Sequence, residues 1–282
     1  MEDRRFITGS YVKGFLKARP ADSHKGDNGK LLLITGSKGM AGAAVMAGMG
    51  ALRAGAGLTT YLVPDELLHI LQTAVPEAMC LDRAKETDFS GFDVIAFGPG
   101  LGVSEENATL LEKVLSGFRG VLVLDADGLN IIAGKIGVSR LKTAGCQVII
   151  TPHMGEAARL LGDDAASLSE DREKTALRLA EETGAVTVLK GAGTLVADGK
   201  EGPLKNTTGT PGMAKGGSGD VLTGIIAALA GQGLSAFEAA AAGVYIHGYA
   251  GELAEEKYGQ FGMLPTDTAG LIGIAMREIT GK

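Results

Sequence analysis

Short runs of apolar residues recur along this chain, and a segment of helical character follows most of them. Leu31-Leu32-Leu33-Ile34, Thr59-Thr60-Tyr61-Leu62-Val63, Asp93-Val94-Ile95-Ala96-Phe97, Val121-Leu122-Val123-Leu124, Val148-Ile149-Ile150 and Val186-Thr187-Val188-Leu189 all have strand length. Runs that stay apolar instead of alternating suit strands buried on both faces, as in parallel sheets covered by helices. Their alternation with helical patterns predicts a doubly wound α/β/α sandwich with a mostly parallel central sheet. Ligands of such folds bind at loops beyond the C-terminal strand ends.

The helical segments carry their own punctuation. Residues 40–54 are mostly small, so a helix there can pack close to a sheet. Ser104 caps the next helix, with Glu105 and Glu106 in the first turn where the dipole favours them. Ser167 and Glu170 form a capping box for a helix over 167–182, and Gly184 ends it. Residues 194–197 and 203–205 read as a hairpin. A helix from Ser218 repeats apolar residues at Val221, Ile225 and Leu229, with Leu222 and Ile226 beside them, and stops at Gly231. Ser235 and Glu238 box a second helix, and a third begins near Thr266. The 282 residues, 45% of them hydrophobic, allow a large core. No repeat, low-complexity linker or composition break divides them, which predicts a single domain over 1–282.

The formal net charge of -6 argues against a nucleic-acid or anionic-membrane surface. Cys80 and Cys146 are the only cysteines and form no CxxC, which disfavours a disulfide scaffold or structural zinc and suits reduced thiols. The start, Met1-Glu2-Asp3-Arg4-Arg5, leads into no apolar signal core. No apolar run reaches the roughly 18 residues of a membrane span. The expected location is the cytoplasm.

Gly209-Thr210-Pro211-Gly212-Met213-Ala214-Lys215-Gly216-Gly217-Ser218-Gly219-Asp220 is the segment with most chemical content. Its glycines let consecutive N–H groups converge, and the helix that follows adds its positive end, so the pair makes an anion site. Asp220, in the first helical turn, can accept the proton of a hydroxyl attacking a phosphoryl group while the backbone stabilises the transferred charge. A flexible turn before a core helix, with Asp220 merely complementing the dipole, would also account for these residues. The segment is not a Walker A loop, because the chain holds no Gly-Lys-Ser/Thr triplet. Gly36-Ser37-Lys38-Gly39-Met40-Ala41-Gly42 likewise departs from the dinucleotide fingerprint in its spacing. It is a strand-to-helix turn whose small Ala43 and Ala44 can admit a flat ligand.

Other strand ends offer polar groups. Lys190-Gly191-Ala192-Gly193-Thr194 can bring a lysine to phosphates and pass glycines under a base or ribose, or can be a hairpin turn with a solvated lysine. In Thr151-Pro152-His153-Met154-Gly155-Glu156, His153 can touch a substrate and Glu156 can hold magnesium through water; both residues also suit a helix start. Asp125, Asp127 and Asn130 either line the same cleft or cap the next helix.

Taken together, His24-Lys25-Gly26-Asp27-Asn28-Gly29-Lys30, Gly98-Pro99-Gly100-Leu101-Gly102, Thr151-Pro152-His153-Met154-Gly155-Glu156, Lys190-Gly191 and Gly216-Gly217-Ser218-Gly219-Asp220 resemble the NAD(P)H-hydrate dehydratases, which are ribokinase-like proteins. The resemblance covers nearly the whole chain. It implies repair of NADH and NADPH hydrated at the nicotinamide ring. Phosphorylation of the ring hydroxyl by ADP, or by ATP in eukaryotic members, would precede loss of phosphate. Asp220 would be the base, and Gly217, Ser218 and Gly219 the anion hole. Lys190, Gly191, Ala192, Gly193 and Thr194, with Gly219, would bind the nucleotide. Ala44, Gly102, His153 and Asp220 would contact the hydrated dinucleotide, and Mg2+ would bridge the phosphates. A homo-oligomer, with a tetramer favoured, and a separate epimerase serving the other epimer are further expectations.

Thr35-Gly36-Ser37 departs from the family pattern, where two glycines precede the serine. The competing reading is a kinase of a small thiazole or pyrimidine alcohol, which would share Asp220 and the anion hole but leave a stable phosphate ester. A nucleotide sensor without catalysis would have no use for Asp220.

Overall fold

In the computed structural model, residues 5–16, 18–85 and 87–281 are described; the first four residues of the charged N-terminus lie outside them. The elements run β1 (Phe6–Ile7), α1 (Gly9–Lys13), β2 (Lys30–Ile34), α2 (Ala41–Arg53), β3 (Leu58–Val63), α3 (Asp65–Ala74), β4 (Met79–Asp82), β5 (Val94–Phe97), α4 (Glu105–Gly117) and β6 (Val121–Leu124). They continue with α5 (Asp127–Ile131), β7 (Gln147–Ile150), α6 (Met154–Leu161), α7 (Ala165–Glu170), α8 (Arg172–Thr183), β8 (Val186–Leu189), β9 (Leu195–Ala197), β10 (Leu204–Asn206), α9 (Ser218–Gly231), α10 (Ala236–Tyr258) and α11 (Pro265–Thr280).

The strands form one sheet in the order β1-β10-β9-β8-β7-β6-β5-β2-β3-β4. Pairing is parallel from β8 across to β4, and β9 runs antiparallel to both β8 and β10. The chain adds strands towards β4 first and then, from β5 onward, in the opposite direction. That reversal lies between β2 and β5, and such switch points open a crevice at the C-terminal strand ends. The loops 35–40 and 98–102 leave the sheet there.

Each central strand feeds two cores, because successive side chains point to opposite faces. Leu31, Leu33, Val94, Ala96, Val123 and Ile149 pack under α2, α9, α10 and α11. Leu32, Ile34, Ile95, Phe97, Leu122 and Leu124 pack under α4, α6 and α8. The small residues of α2 let it approach α9 to backbone contact: a Cβ on Gly224 would clash with the Ala47 carbonyl, and one on Gly50 with the Val221 carbonyl. This close pair fixes the direction of α9, and with it the glycine turn at its start.

The expected helix over 167–182 is two helices. Asp164 accepts from the Ser167 N–H at 3.0 Å and caps α7, while Asp171, with φ -137° and ψ 85°, breaks the chain and caps α8 through the Lys174 N–H at 3.0 Å. Ser167 lies inside α7 and caps nothing. Two carboxylates placed three residues before free N–H groups displace the hydroxyl from that role. The capping boxes of Ser235 with Glu238, and the Ser104 cap of α4, form as the sequence predicts.

Candidate active site

At the mouth of the crevice the chain turns through Gly217, with φ 101°, and enters α9 with Ser218, Gly219 and Asp220 in its first turn. No side chain caps this helix. Among the described residues, the N–H groups of Gly216, Gly217, Gly219 and Asp220 have no intramolecular acceptor. Such donors, at the positive end of a helix, form a cradle for an anion. Lys215 does not reach into it. Its ammonium donates to the Phe261 carbonyl at 2.8 Å and to that of Met263, tying the glycine segment to the loop before α11.

Lys190, at the end of β8, is mostly buried and meets two acids. Its Nζ lies 2.6 Å from Asp125 Oδ1 and 3.8 Å from Glu156 Oε2. The solvated lysine of an ordinary hairpin turn is therefore not what the fold builds. Asp125 is only 1% exposed, and its second oxygen accepts from Thr223 Oγ1, one turn into α9, at 2.8 Å. A Cβ on Gly219 would stand 3.3 Å from Lys190 Nζ and 3.7 Å from Asp125 Oδ2. The lack of a side chain there lets the start of α9 lie against the ion pair.

These neighbours set the charge on Asp220. Burial, then the Asp125 charge, push its carboxyl up to about 7, with Asp127 and Glu156 adding to the rise and Lys190 opposing it. Burial disfavours the Lys190 charge, but Asp125, Glu156 and Asp220 outweigh it and hold its pKa above the ordinary lysine value. The site thus contains a permanent cation and a carboxylate whose proton is exchangeable near neutrality, which suits a general base. Behind the turn, the Ser218 hydroxyl lies 3.4 Å from Nε2 of His247, a buried residue whose pKa burial lowers to about 4.

The expected nucleotide loop keeps its glycines at positive φ, Gly191 at 143° and Gly193 at 60°. Arg172 spans it from α8, donating to the Ala192 carbonyl at 2.6 Å and to those of Leu189 and Lys190 at 3.4 and 3.5 Å. The Thr194 hydroxyl closes it onto the Gly191 carbonyl at 3.0 Å.

The residues expected to meet the substrate do not share one situation. Gly102 donates its N–H to Asp127 Oδ2 at 2.8 Å. His153 caps α6, its Nδ1 accepting from the N–H groups of Gly155 and Glu156 at 3.0 and 3.3 Å, so the exposed Nε2 carries the proton of the neutral ring. Glu156 completes the box by accepting from the His153 N–H at 2.8 Å. Ala44 is wholly buried, packed beneath Gly36, with its carbonyl accepting the Tyr61 hydroxyl at 2.9 Å. Its side chain is therefore closed off from the crevice. Arg172, Thr223 and His247 escaped the sequence reading; only Thr223 carried a signal, lying three residues after Asp220 on the same helix face.

A doubly wound sheet with an anion-binding helix start, a carboxylate in its first turn and a glycine loop on an adjacent strand end defines a ribokinase-like protein, and solved structures of that class superpose on it. The chain belongs to the NAD(P)H-hydrate dehydratase family, whose model matches residues 31–272. It is 44% identical to the bifunctional NAD(P)H-hydrate repair enzyme of Escherichia coli, over 95% of this chain and 52% of that protein. It is also 39% identical to the ADP-dependent (S)-NAD(P)H-hydrate dehydratase of Neisseria meningitidis, over 86% of this chain and 83% of that one. The ADP/ATP-dependent NAD(P)H-hydrate dehydratase of Bacillus subtilis, co-crystallised with ATP and Mg2+, superposes with a TM-score of 0.90 at 30% identity, over 99% of this chain and 100% of that one. The chain spans about half the length of the bifunctional relatives.

Proposed function

We propose that the chain restores the S form of hydrated NADH and NADPH at the expense of ADP, releasing AMP and phosphate. The observation that carries this reading is Asp220, raised to about 7, in the first turn of a helix whose start leaves four N–H groups unclaimed among the described residues. The family and the Neisseria meningitidis relative supply the reaction.

Ionised Asp220 accepts the proton of the ring hydroxyl as that oxygen attacks the terminal phosphorus of ADP. The phosphorus–oxygen bond to AMP breaks, and charge on the transferred group falls on the free N–H groups of Gly217 and Gly219. Ser218, the third expected member of the anion hole, lies between them with its N–H held by the Lys215 carbonyl at 3.3 Å. The carbon–oxygen bond of the phosphate ester then breaks, phosphate leaves, and a proton is lost from the adjacent ring carbon as the double bond returns. Lys190 to Thr194 and Gly219 hold the nucleotide, with Arg172 fixing that loop. Gly102 and His153 face the dinucleotide.

The donor set fits magnesium carried by the nucleotide rather than caged by protein. Asp125 is engaged by Lys190 and Thr223, and Asp127 by Gly102 and Asn130. Among the described residues no group of three or more acidic, His or Cys side chains is poised to chelate a metal. Glu156, the expected contact to a hydrated ion, is likewise engaged: it is 4% exposed, accepts the His153 N–H at 2.8 Å and lies 3.8 Å from Lys190 Nζ. Bound magnesium would screen the phosphate charge.

No helix is long and apolar enough to cross a membrane among the described residues. A cytoplasmic homo-oligomer, tetrameric by family resemblance, that relies on an epimerase for the other epimer, completes the proposal. The test is to incubate the protein with hydrated NADPH and ADP or ATP. Recovery of NADPH with equimolar AMP and phosphate from ADP is expected. A stable phosphate ester formed from a thiazole or pyrimidine alcohol, with no NADPH recovered, would select the vitamin-precursor kinase instead.

A further inference from the structure

We infer that Arg159 binds a phosphate of the hydrated dinucleotide. The inference rests on the dehydratase reading and adds to it a residue that grips the substrate away from the reacting ring.

Arg159 lies on α6, between one and two turns beyond His153. Its Nε donates to Asn130 Oδ1 at 2.9 Å. Asn130 Nδ2 in turn donates to Asp127 Oδ1 at 3.3 Å, and Asp127 Oδ2 accepts the Gly102 N–H at 2.8 Å. This chain of bonds joins α6 through α5 to the loop after β5, so the guanidinium is aimed by the same carboxylate that fixes Gly102. It also borders His153: a methyl placed on Gly155 would lie 3.0 Å from His153 Cε1 and 3.9 Å from Arg159 Nη1. Gly102 and His153 are the two open substrate contacts, and Arg159 is tied to one and adjacent to the other.

The bond to Asn130 uses one N–H of the guanidinium. Among the described residues Arg159 has no carboxylate partner, and its Nη groups are uncommitted. The contrast with Lys190 decides the role. Lys190 is already matched by Asp125 and Glu156 and has Asp220 close by, so that corner of the crevice carries no surplus positive charge. A dinucleotide brings the two charges of its pyrophosphate, and the NADPH form adds a ribose phosphate. Arg159 is an oriented cation with donors to spare beside the substrate contacts, and a planar fork of N–H groups matches phosphate oxygens in pairs. Either phosphate presents that chemistry, and the two forms of the substrate tell them apart.

The experiment compares wild type, Arg159→Gln, Arg159→Lys and Asn130→Ala. It measures steady-state kinetics with hydrated NADPH and hydrated NADH at saturating ADP, and calorimetric affinity for NADPH and NADH themselves. Arg159→Gln should raise KM for the hydrate about tenfold or more, as loss of a charged hydrogen bond does, and weaken NADPH binding in parallel. kcat and the KM for ADP should stay put, because the contact is equally present in ground and transition states. Arg159→Lys should recover part of the loss, and Asn130→Ala should show a smaller loss of the same sign. Equal losses with both hydrates assign the pyrophosphate; a loss confined to the NADPH form assigns the ribose phosphate. Unchanged KM and affinity in Arg159→Gln, or a defect in ADP use instead, would overturn the inference. If wild type restores no NADPH, the dehydratase reading falls, and the calorimetry still decides whether Arg159 holds a dinucleotide phosphate.

Discussion

As the proposed base, Asp220 must be ionised, and its surroundings place that transition near neutrality. Burial and the Asp125 charge lift its pKa to about 7, so kcat/KM should fall about tenfold per pH unit below that value. Lys190 opposes the rise; Lys190→Met should therefore move the acidic limb of the pH–rate profile to higher pH, and a limb that stays still or moves down would contradict the electrostatic account. The same residue carries a stability cost. Below the unfolded pKa of about 4 an aspartate is protonated in both states and costs nothing. As pH rises from there towards 7 the unfolded chain ionises while the folded one resists, and stability is lost. Asp220→Asn escapes this, so its melting temperature should exceed that of wild type at pH 8 and match it at pH 3; an equal or lower value at pH 8 would refute the shift. Asp220, the glycines before it and Lys190 were legible because residue type and spacing mark an anion site. The pairing of Lys190 with Asp125 was not, because the two are 65 positions apart in sequence and meet only through the order of β6, β7 and β8. His247 carried no sequence signal at all, being the one polar side chain on the buried face of a long helix that otherwise buries Ala, Gly, Val and Ile.

At the level of elements, α9 and the turn before it depend on positions that admit no side chain. Gly217 combines φ 101° with a space already filled by Met46, so Gly217→Ala should distort the anion cradle. Its turnover should drop by at least tenfold while circular dichroism stays native; unimpaired turnover would mean the cradle is not used. Gly224→Ala, deeper in α9, would press a methyl on the Ala47 carbonyl of α2 and should cost about 1–3 kcal/mol by overpacking, read as a lower denaturant midpoint. The central strands were readable from their unbroken apolar runs. The edge strands β1 and β4 were not, since they are two and four residues long and alternate between exposed and covered positions. The split of the 167–182 segment was hidden because Asp164 and Asp171 read as surface acids until the backbone shows them capping α7 and α8.

Across the whole molecule, the sheet serves two hydrophobic layers at once, with residues of the same strand feeding both. Neither layer can be removed without stripping one face of the other's scaffold. Calorimetry should therefore record one cooperative unfolding transition for the chain; two separable transitions would show that it is not a single domain. The doubly wound architecture was predictable because alternation of strand and helix restricts topology strongly. The strand order, with its reversal between β2 and β5, was not, since apolar runs say that a strand is buried and nothing about its neighbours. The parallel run of the central strands gathers the loops from residues 36, 98, 125, 153, 190 and 217 beyond their C-terminal ends. The most direct test of the central claim is the turnover of Asp220→Asn with hydrated NADPH and ADP beside its affinity for ADP. Turnover lowered roughly 10²–10⁴-fold or more with ADP affinity within a few-fold of wild type is the predicted result. Turnover close to wild type would show that the proton goes elsewhere.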